Sequence, residues 1–489
     1  MKELLIIFSI SCSVLYGFGT GITVGKTFQN ENPDTTFISY PDDLKFAIPR
    51  NHQYHQTLTM KICVARSLWD GKFKRRGNGK TQLFLSYDQA LDLIRRINNL
   101  TLGIPKIIYI VGWESTGDSW FEGNAKLKRP GDTSSLASLK WLMHEAIKYH
   151  TTVSLHINMF DFYEDSPLWN TYVKNNIIAR NTDGTLRTAE WGYPISYAQE
   201  WRTGFTKKRI DSLCNLLPLK ESGTIHIDAF HSWPPIPVPD GTGKYRIDLT
   251  KGLISPYLNF TVKDETEAQR NIFRYWASKG IDVTSEGADF LRETAFEGYQ
   301  PMAWWYGGLD HYLKWPASYY CGGQDNSELG KLFGTSMHGE DIIQEDFKML
   351  PGFREQFCLK TVIWYYLNRL DRLYLLKGKD YKAVQYSDKV RTSLSGNEYK
   401  VTQGNTILVE NEDVLIPALW INDRSLIAYS KAGYENKTWV LPEDWSKVVR
   451  VKLTRISAER KTILGLKKTE SGKLTLTIGR DEMLLIERK

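Results

Sequence analysis

Cysteine is scarce in this 489-residue chain, and its five thiols are far apart. They are Cys12, Cys63, Cys214, Cys321 and Cys358. They form neither a C-x-x-C metal motif nor the dense pattern of a disulfide framework. Five histidines between positions 144 and 231 likewise show no H-E-x-x-H spacing. The sequence therefore predicts no structural metal.

Long runs of one charge and several catalytic motifs are also missing. No Lys/Arg run exceeds a few residues, and the net charge of +7 is small for this length. Nucleic acid is therefore not expected as a partner. No G-x-G-x-x-G loop or P-loop follows a strand, which argues against a nucleotide-binding sheet. No G-x-S-x-G elbow is present to support a serine hydrolase.

One long apolar run occurs, at the start of the chain. Residues 4–18 follow Lys2 and are apolar apart from a few Ser, Cys and Gly residues. The run is shorter than the ~20 residues that span a bilayer. It predicts a signal peptide over residues 1–19 and an exported protein, with free secretion and a lipid anchor at Cys12 both open. No later run approaches ~20 apolar residues, so no transmembrane segment is expected beyond the leader.

Aromatic residues, in contrast, are plentiful, with 16 Trp, 26 Tyr and 20 Phe. This excess is compatible with carbohydrate binding, although most single rings are expected in the core. The chain is longer than the ~250 to 300 residues at which one core stops growing. We therefore expect one large domain and a smaller one.

The middle of the chain has the pattern of βα units. Between residues 60 and 380, short apolar runs alternate with amphipathic helices, as around a parallel sheet. Clear strands are predicted at 106–113, 152–158, 224–230, 282–287 and 301–307. Ser86 and Gln89 form a capping box at the start of a helix over 86–100. Size and repetition predict an α/β fold with a (β/α)₈ TIM-like barrel, and an open doubly wound sheet is the alternative.

The segments on either side of the barrel differ from it. Residues 20–59 are polar and irregular, and we interpret them as an N-terminal arm. From residue 381 to residue 489, short strands alternate with turn residues, which predicts a C-terminal all-β sandwich domain. Such a domain is expected to pack against the barrel and stiffen it.

Two carboxylates end predicted strands. Asp228 follows the strand residues 224–227, and Glu286 follows residues 281–285. Active sites of barrel enzymes lie at the carboxyl ends of their strands. Retaining glycosidases use one carboxylate as nucleophile and a second carboxyl as general acid and base, ~5 to 5.5 Å apart. A lone strand-end Asp is more often a cap, but the pair predicts catalytic residues.

Three further segments at predicted strand ends mix polar groups with aromatic rings. They cover residues 111–118, 156–161 and 304–308. Sugars suit such a surface, because their hydroxyls bind short polar side chains while their C–H faces stack on rings. The candidate substrate-binding residues of these segments are Asp118, His156, Asn158, Trp305 and Tyr306.

These segments resemble the endo-α-N-acetylgalactosaminidase family, glycoside hydrolase family 101, and related α-N-acetylgalactosaminidases. The shared motifs are YIVGWESTGDS (109–119), VSLHINMFDFY (153–163), IHIDAF (225–230), SEGADF (285–290), WYGG (305–308) and TWVLPEDW (438–445). The resemblance implies that Asp228 is the nucleophile and Glu286 the general acid and base. It also implies that Asp118 holds sugar hydroxyls and that His156 and Asn158 line the cleft. Trp191 is implied to stack over the substrate, while Gly117 departs from the family pattern.

The pair of strand-end carboxylates predicts a retaining glycoside hydrolase. The resemblance implies that it cleaves α-linked N-acetylgalactosamine, or Gal-β1,3-GalNAc, from mucin-type O-glycans. Its partner would be a glycan or glycoprotein substrate, and double displacement needs no cofactor. Two alternatives are open. One is a secreted retaining α-glycosidase with α-galactosidase-like or α-glucosidase-like specificity. The other is a non-catalytic barrel that only binds glycans.

Overall fold

A computed structural model describes most of the chain. The described residues are 34–40, 50–67, 81–114, 123–189, 192–228, 230, 238–239, 245–246, 255–286, 299–302, 313, 316–319, 321–322, 328–336 and 350–489. The predicted leader lies outside these ranges. No helix in the described ranges is long and apolar enough to cross a membrane.

The strands and helices are numbered here along the chain. The strands are β1 (Asp34–Phe37), β2 (Leu58–Cys63), β3 (Ala65–Ser67), β4 (Thr81–Leu83), β5 (Lys106–Val111), β6 (Thr151–Asn158), β7 (Asp161–Phe162), β8 (Tyr193–Pro194), β9 (Thr224–Asp228), β10 (Val238–Pro239), β11 (Tyr245–Arg246), β12 (Asp282–Glu286), β13 (Tyr299–Met302), β14 (Arg372–Lys377), β15 (Tyr381–Tyr386), β16 (Val390–Ser395), β17 (Glu398–Gln403), β18 (Thr406–Glu410), β19 (Asp413–Pro417), β20 (Ser425–Ser430), β21 (Tyr434–Val440), β22 (Arg450–Ile456), β23 (Lys461–Lys468), β24 (Lys473–Ile478) and β25 (Glu482–Arg488). The α-helices are α1 (Tyr87–Thr101), α2 (Ser135–Ala146), α3 (Trp169–Lys174), α4 (Tyr197–Thr203), α5 (Phe205–Leu216), α6 (Leu219–Ser222), α7 (Val262–Ser278), α8 (Glu328–Phe333), α9 (Leu350–Gln356) and α10 (Val362–Leu367). A π-helical turn, Phe357–Thr361, joins α9 to α10.

Six strands form a parallel sheet in the order β13-β12-β9-β6-β5-β2. Any two adjacent strands of this sheet are also consecutive along the chain among the six strands. The strand order therefore does not reverse. An open doubly wound sheet reverses at a switch point, and the observed order is instead the one that a barrel has. The described residues contain six parallel strands, whereas a (β/α)₈ barrel has eight, so the eight-stranded closed barrel stays a prediction.

Alternation along the parallel strands separates an apolar face from a polar face. In β9, Ile225 and Ile227 belong to the main hydrophobic cluster, together with residues of α1, α2, α5 and α7. Thr224, His226 and Asp228 lie on the opposite face of the same strand. The helices therefore cover the apolar face, and the polar face is available for a site.

The predicted helix at residues 86–100 is confirmed as α1, shifted by one residue. Ser86 is its N-cap, and the capping box with Gln89 is present. The apolar stripe of Leu93, Ile94 and Ile97 is fully buried against the sheet. Capping and periodicity together thus placed this helix correctly.

A second, antiparallel sheet of eleven strands contains most of the C-terminal region. Its order is β1-β14-β15-β16-β17-β18-β19-β20-β25-β22-β23, and β21 pairs separately with β24. β1, from the predicted N-terminal arm, pairs with β14 at one edge. The predicted all-β character of this region is confirmed, while the exact domain boundaries stay predictions.

Candidate active site

Asp228 and Glu286 end neighbouring strands of the parallel sheet. In the pairing of β9 with β12, Thr224 lies opposite Asp282 and Ile227 lies opposite Ser285. Asp228 and Glu286 are the next residues of their strands and therefore lie at the same level. Residues at the same level of two parallel strands project to the same face. The structure thus places the two predicted catalytic residues side by side, although the side chain of Glu286 lies outside the described part.

His156 lies close to the Asp228 carboxylate. β6 pairs with β9 on the side opposite to β12. His156 Nε2 is 3.6 Å from Asp228 Oδ1, and the two side chains are 12% and 36% exposed. The carboxylate therefore reaches solvent at the sheet edge, while the ring lies mostly buried beside it. A protonated imidazole in this position forms an ion pair with the carboxylate.

Asn158, the residue opposite Asp228 in β6, uses its side-chain oxygen in structural hydrogen bonds. Its side-chain Oδ1 accepts the backbone N–H groups of Phe160, at 2.7 Å, and Asp161, at 2.9 Å. This is an Asx turn, which sets the direction in which the chain leaves the strand. The amide nitrogen is therefore the group that Asn158 can offer to a sugar hydroxyl.

A second histidine, His226, lies beneath this edge. Its Nδ1 is 2.9 Å from Thr284 Oγ1. Its ring centroid is 5.1 Å from that of His156 and 5.3 Å from that of Tyr109. Among the sequence predictions, His226 figures only as one of five histidines without metal-binding spacing. His226 is two residues before Asp228 in a strand, so the two side chains project to the same face. This spacing is the signal in the sequence that could have predicted His226 next to the site.

The amino end of the polar face is closed by a hydrogen-bond network. Tyr54 Oη lies 2.8 Å from Thr224 Oγ1 and 2.9 Å from Asp282 Oδ2. The backbone N–H of Asn51 donates to the same Asp282 oxygen at 2.7 Å. Burial raises the pKa of Asp282 above its usual value. The network lies at the strand ends opposite Asp228, so its role is to hold the segment before β2 in place.

The turn after β5 requires glycine. Gly112 has a φ of +77°, and a Cβ there would lie 1.8 Å from the backbone oxygen of Ala65. The next residue, Trp113, is fully buried, and its indole N–H donates to the His156 carbonyl at 3.0 Å. This aromatic residue of the 111–118 segment therefore belongs to the core.

Tyr197, at the start of α4, is a neighbour of the site that the sequence did not single out. Its ring packs edge-on against Phe230 with centroids 4.9 Å apart. Burial raises the pKa of Tyr197, and nearby carboxylates, including Asp161 and Asp228, raise it further. Its hydroxyl has no hydrogen-bond partner among the described residues. The phenol is therefore neutral and able to donate.

Four of the predicted substrate-binding residues lie outside the described ranges. They are Asp118, Trp191, Trp305 and Tyr306. Their roles stay predictions. Within the ranges that the structure covers, no group of three or more His, Cys, Asp or Glu side chains could hold a metal ion. The described site thus combines one exposed carboxylate, an adjacent strand-end Glu and an imidazole, which are groups suited to nucleophilic and acid–base chemistry.

No protein-family model matches the chain, and a search among curated proteins found no match. Several solved structures are similar at low identity. One is a ligand-free α-N-acetylgalactosaminidase from Bifidobacterium bifidum, with 10% identity, 71% of this chain and 58% of that chain covered, and a TM-score of 0.48. This chain therefore spans less than two thirds of that enzyme.

Two further similar structures come from Geobacillus stearothermophilus. A GH27 β-L-arabinopyranosidase has 10% identity over 89% of this chain and 97% of its own, with a TM-score of 0.38. A GH36 α-galactosidase has 9% identity over 88% of this chain and 55% of its own, with a TM-score of 0.41. All three similar proteins are glycosidases by name, and these scores are too low to transfer fold or activity to this chain.

Proposed function

We propose that this protein is a retaining α-glycoside hydrolase built on a (β/α)₈ barrel, with Asp228 as nucleophile and Glu286 as general acid and base. The observation that carries the proposal is the register of β9 and β12, which puts both residues at one level of the sheet. That level is the carboxyl edge, where barrel enzymes have their active sites.

The shared level of the two residues favours retention of configuration. Residues at one level of neighbouring parallel strands are separated by about 4.8 Å. Carboxyl groups that project from such positions to one face are expected at a comparable distance. That distance is close to the ~5 to 5.5 Å of retaining enzymes and shorter than the ~6.5 to 9.5 Å of inverting enzymes, which place a water between the groups.

The proposed reaction has two steps. First, an Asp228 oxygen attacks the anomeric carbon, the glycosidic bond breaks, and Glu286 gives its proton to the departing oxygen. Second, Glu286 takes a proton from water, whose oxygen attacks the anomeric carbon and releases the Asp228 carboxylate. His156, at 3.6 Å from Asp228 Oδ1, orients the nucleophile and offsets its charge when protonated. Neither step requires a cofactor.

The proposed substrate is α-linked N-acetylgalactosamine, or Gal-β1,3-GalNAc, on an O-glycan or glycoprotein. Its support is the likeness of the IHIDAF and SEGADF motifs, residues 225–230 and 285–290, to endo-α-N-acetylgalactosaminidases. Gly117 departs from that family beside the expected sugar-binding Asp118, so the proposal includes both the monosaccharide and the disaccharide. We also propose that the enzyme is exported, on the basis of the signal peptide that the sequence predicts at residues 1–19.

The test is hydrolysis of para-nitrophenyl α-GalNAc and of the corresponding Gal-β1,3-GalNAc glycoside, with the product anomer followed by NMR. We expect the wild type to release the α-anomer first. Asp228→Asn and Glu286→Gln should each lower kcat by at least about a thousandfold, because each removes a group that acts in both steps. Asp423→Asn and Glu443→Gln, which change exposed carboxylates elsewhere, serve as matched controls and should remain active.

Three results would contradict the proposal in different ways. Turnover of α-galactosides or α-glucosides alone would replace the substrate and keep the mechanism. Release of the β-anomer first would show inversion. Glycan binding without any turnover, unchanged in Asp228→Asn, would identify a binding protein instead of an enzyme.

A further inference from the structure

The antiparallel sheet ends at an exposed strand. Among the strands that the structure describes, β23 is the last in the sheet order and pairs only with β22. Edge strands are usually protected by charge or covered by other elements, because their free backbone groups can pair with another chain. The side chains on this edge therefore indicate what it can contact.

Large apolar side chains on and beside β23 are unusually exposed. Ile463 is 66% exposed, Leu466 60%, Leu464 44% and the nearby Val449 70%. Three of the four most exposed large apolar residues in the described part of the chain belong to this group. Val449 lies beside the end of the strand, where its carbonyl accepts the N–H of Thr469.

The strand register places two of these residues between lysines on one face. Four residues of β23 pair with alternate residues of β22 and so project to the same side. The pairs are Lys461–Ile456, Ile463–Thr454, Leu466–Lys452 and Lys468–Arg450. We call Val449, Lys461, Ile463, Leu464, Leu466 and Lys468 the β23 surface.

Positive charge is concentrated in the segment that carries the β23 surface. Residues 449–473 contain eight Lys or Arg and two Glu, a net charge of +6 for the segment. Two of these cations, Lys452 and Arg455, pair with Glu487 and Glu482 of the neighbouring β25. Within the described ranges, Lys461 and Lys468 form no ion pair. Their ammonium groups are therefore available to an anionic partner.

The hairpin that carries the surface is held against α1. Arg96 Nε is 2.6 Å from Glu459 Oε1 at the hairpin tip. The Asn99 side chain donates to the Ala458 carbonyl at 2.8 Å. The surface is thus fixed relative to the parallel sheet, and its ordering adds little entropic cost to binding.

We propose that the β23 surface docks on an anionic lipid bilayer. Its lysines would contact headgroup phosphates, while Ile463, Leu464 and Leu466 would enter the interface, where burial of apolar area adds to the electrostatic attraction. A second copy of this chain is a poor partner, because two such positively charged segments repel each other. A dissolved polyanion would leave the aliphatic side chains in water. The proposal does not depend on the hydrolase activity.

The test is sedimentation of the full protein with vesicles of phosphatidylcholine containing 30% phosphatidylglycerol, compared with phosphatidylcholine alone. We expect binding to the anionic vesicles only. Lys461→Glu with Lys468→Glu should weaken partitioning by more than about tenfold, since each cation near the surface contributes about 1 kcal/mol. Ile463→Ser with Leu466→Ser should weaken it similarly, because the buried apolar area is lost.

Matched controls separate this surface from general effects. Ile147→Ser changes an aliphatic side chain that is 62% exposed on another element, and Lys377→Glu with Lys379→Glu changes exposed lysines elsewhere. Both should bind like the wild type. The proposal is overturned if the wild type does not bind anionic vesicles, or if the Ile463 and Leu466 variant binds unchanged. It is also overturned if light scattering shows a dimer that this variant abolishes.

Discussion

The chemistry of single residues at the candidate site depends on contacts between neighbouring strands. His226 contacts Thr284 on one side and the ring of His156 on the other, and His156 approaches Asp228. Each of these residues occupies a polar position of an alternating strand. A substitution in this row should therefore change the orientation of the Asp228 carboxylate without removing the carboxylate itself.

His156→Gln tests this positioning role. The glutamine keeps a polar group of similar reach but cannot carry a positive charge beside Asp228. We expect kcat/KM for the α-GalNAc substrate to fall by roughly tenfold to a hundredfold, or about 1.4 to 2.8 kcal/mol of transition-state stabilisation.

The matched control is His144→Gln, which changes a histidine that is 77% exposed on α2. Its kcat/KM should equal that of the wild type. If His156→Gln lowered only the thermal stability, with an unchanged kcat/KM, the histidine would be structural.

At the scale of elements, Glu265 joins two helices beside the site. It lies near the start of α7 and is almost completely buried. Its Oε1 accepts the Ser196 hydroxyl at 2.6 Å, and its Oε2 accepts the N–H of Ala198 at 2.9 Å. Ser196 is the N-cap of α4, the helix that begins with Tyr197. Glu265 therefore fixes the helix that carries the neutral phenol near Asp228.

The stability of this junction should depend on pH. Burial raises the pKa of Glu265 to about 7, well above the ~4.3 of an unfolded chain. Between these values the folded protein holds a proton that the unfolded chain has lost. The free energy of unfolding should therefore fall as pH rises from about 4.5 to 7, by on the order of 3 kcal/mol from this group.

Glu265→Gln removes this titration. Urea unfolding at pH 5 and at pH 7.5 should show a smaller difference between the two pH values than the wild type shows. Glu267→Gln, on the same helix but 51% exposed and paired with Arg270, should keep the wild-type difference. An unchanged pH difference in Glu265→Gln would show that this carboxyl is not the titrating group.

The elements that the sequence predicted well are those with strong local signals. The capping box of Ser86 and Gln89 placed α1, and the β-branched runs placed β5, β6, β9 and β12 to within a few residues. The capping box of α7, formed by its N-cap Thr261 and by Asp264, is a local signal of the same kind.

Contacts between strands could not be predicted in the same way. The hydrogen bond of His226 with Thr284, and the approach of His156 to Asp228, depend on the register of three strands. No local pattern encodes that register, because it is set by packing of the apolar face against the helices. The Asx turn of Asn158 was missed for the same reason, since the sequence does not show which groups its side chain will meet.

At the scale of the whole molecule, the two sheets share one hydrophobic core. The cluster that contains Ile225 and Ile227 also contains Val384, Tyr429 and Met483 of the antiparallel sheet. Polar contacts reinforce this interface at the end of α8. The hydroxyls of Tyr386 and Thr392 both donate to the Leu332 carbonyl at 2.7 Å, and that of Tyr399 donates to the Lys331 carbonyl at 2.9 Å. The antiparallel sheet therefore supplies partners for carbonyls that a helix end leaves unpaired.

The triple variant Tyr386→Phe, Thr392→Val, Tyr399→Phe should lower the stability of the whole protein. It leaves two buried carbonyls without these partners, which costs roughly 1 to 3 kcal/mol for each carbonyl. Because the core is shared, calorimetry should show both sheets unfolding together at a lower temperature. Tyr381→Phe is the control, since its hydroxyl accepts from Arg391 on the same sheet. If only the antiparallel sheet unfolded earlier in the triple variant, while the transition of the parallel sheet stayed in place, the two sheets would be independent folding units.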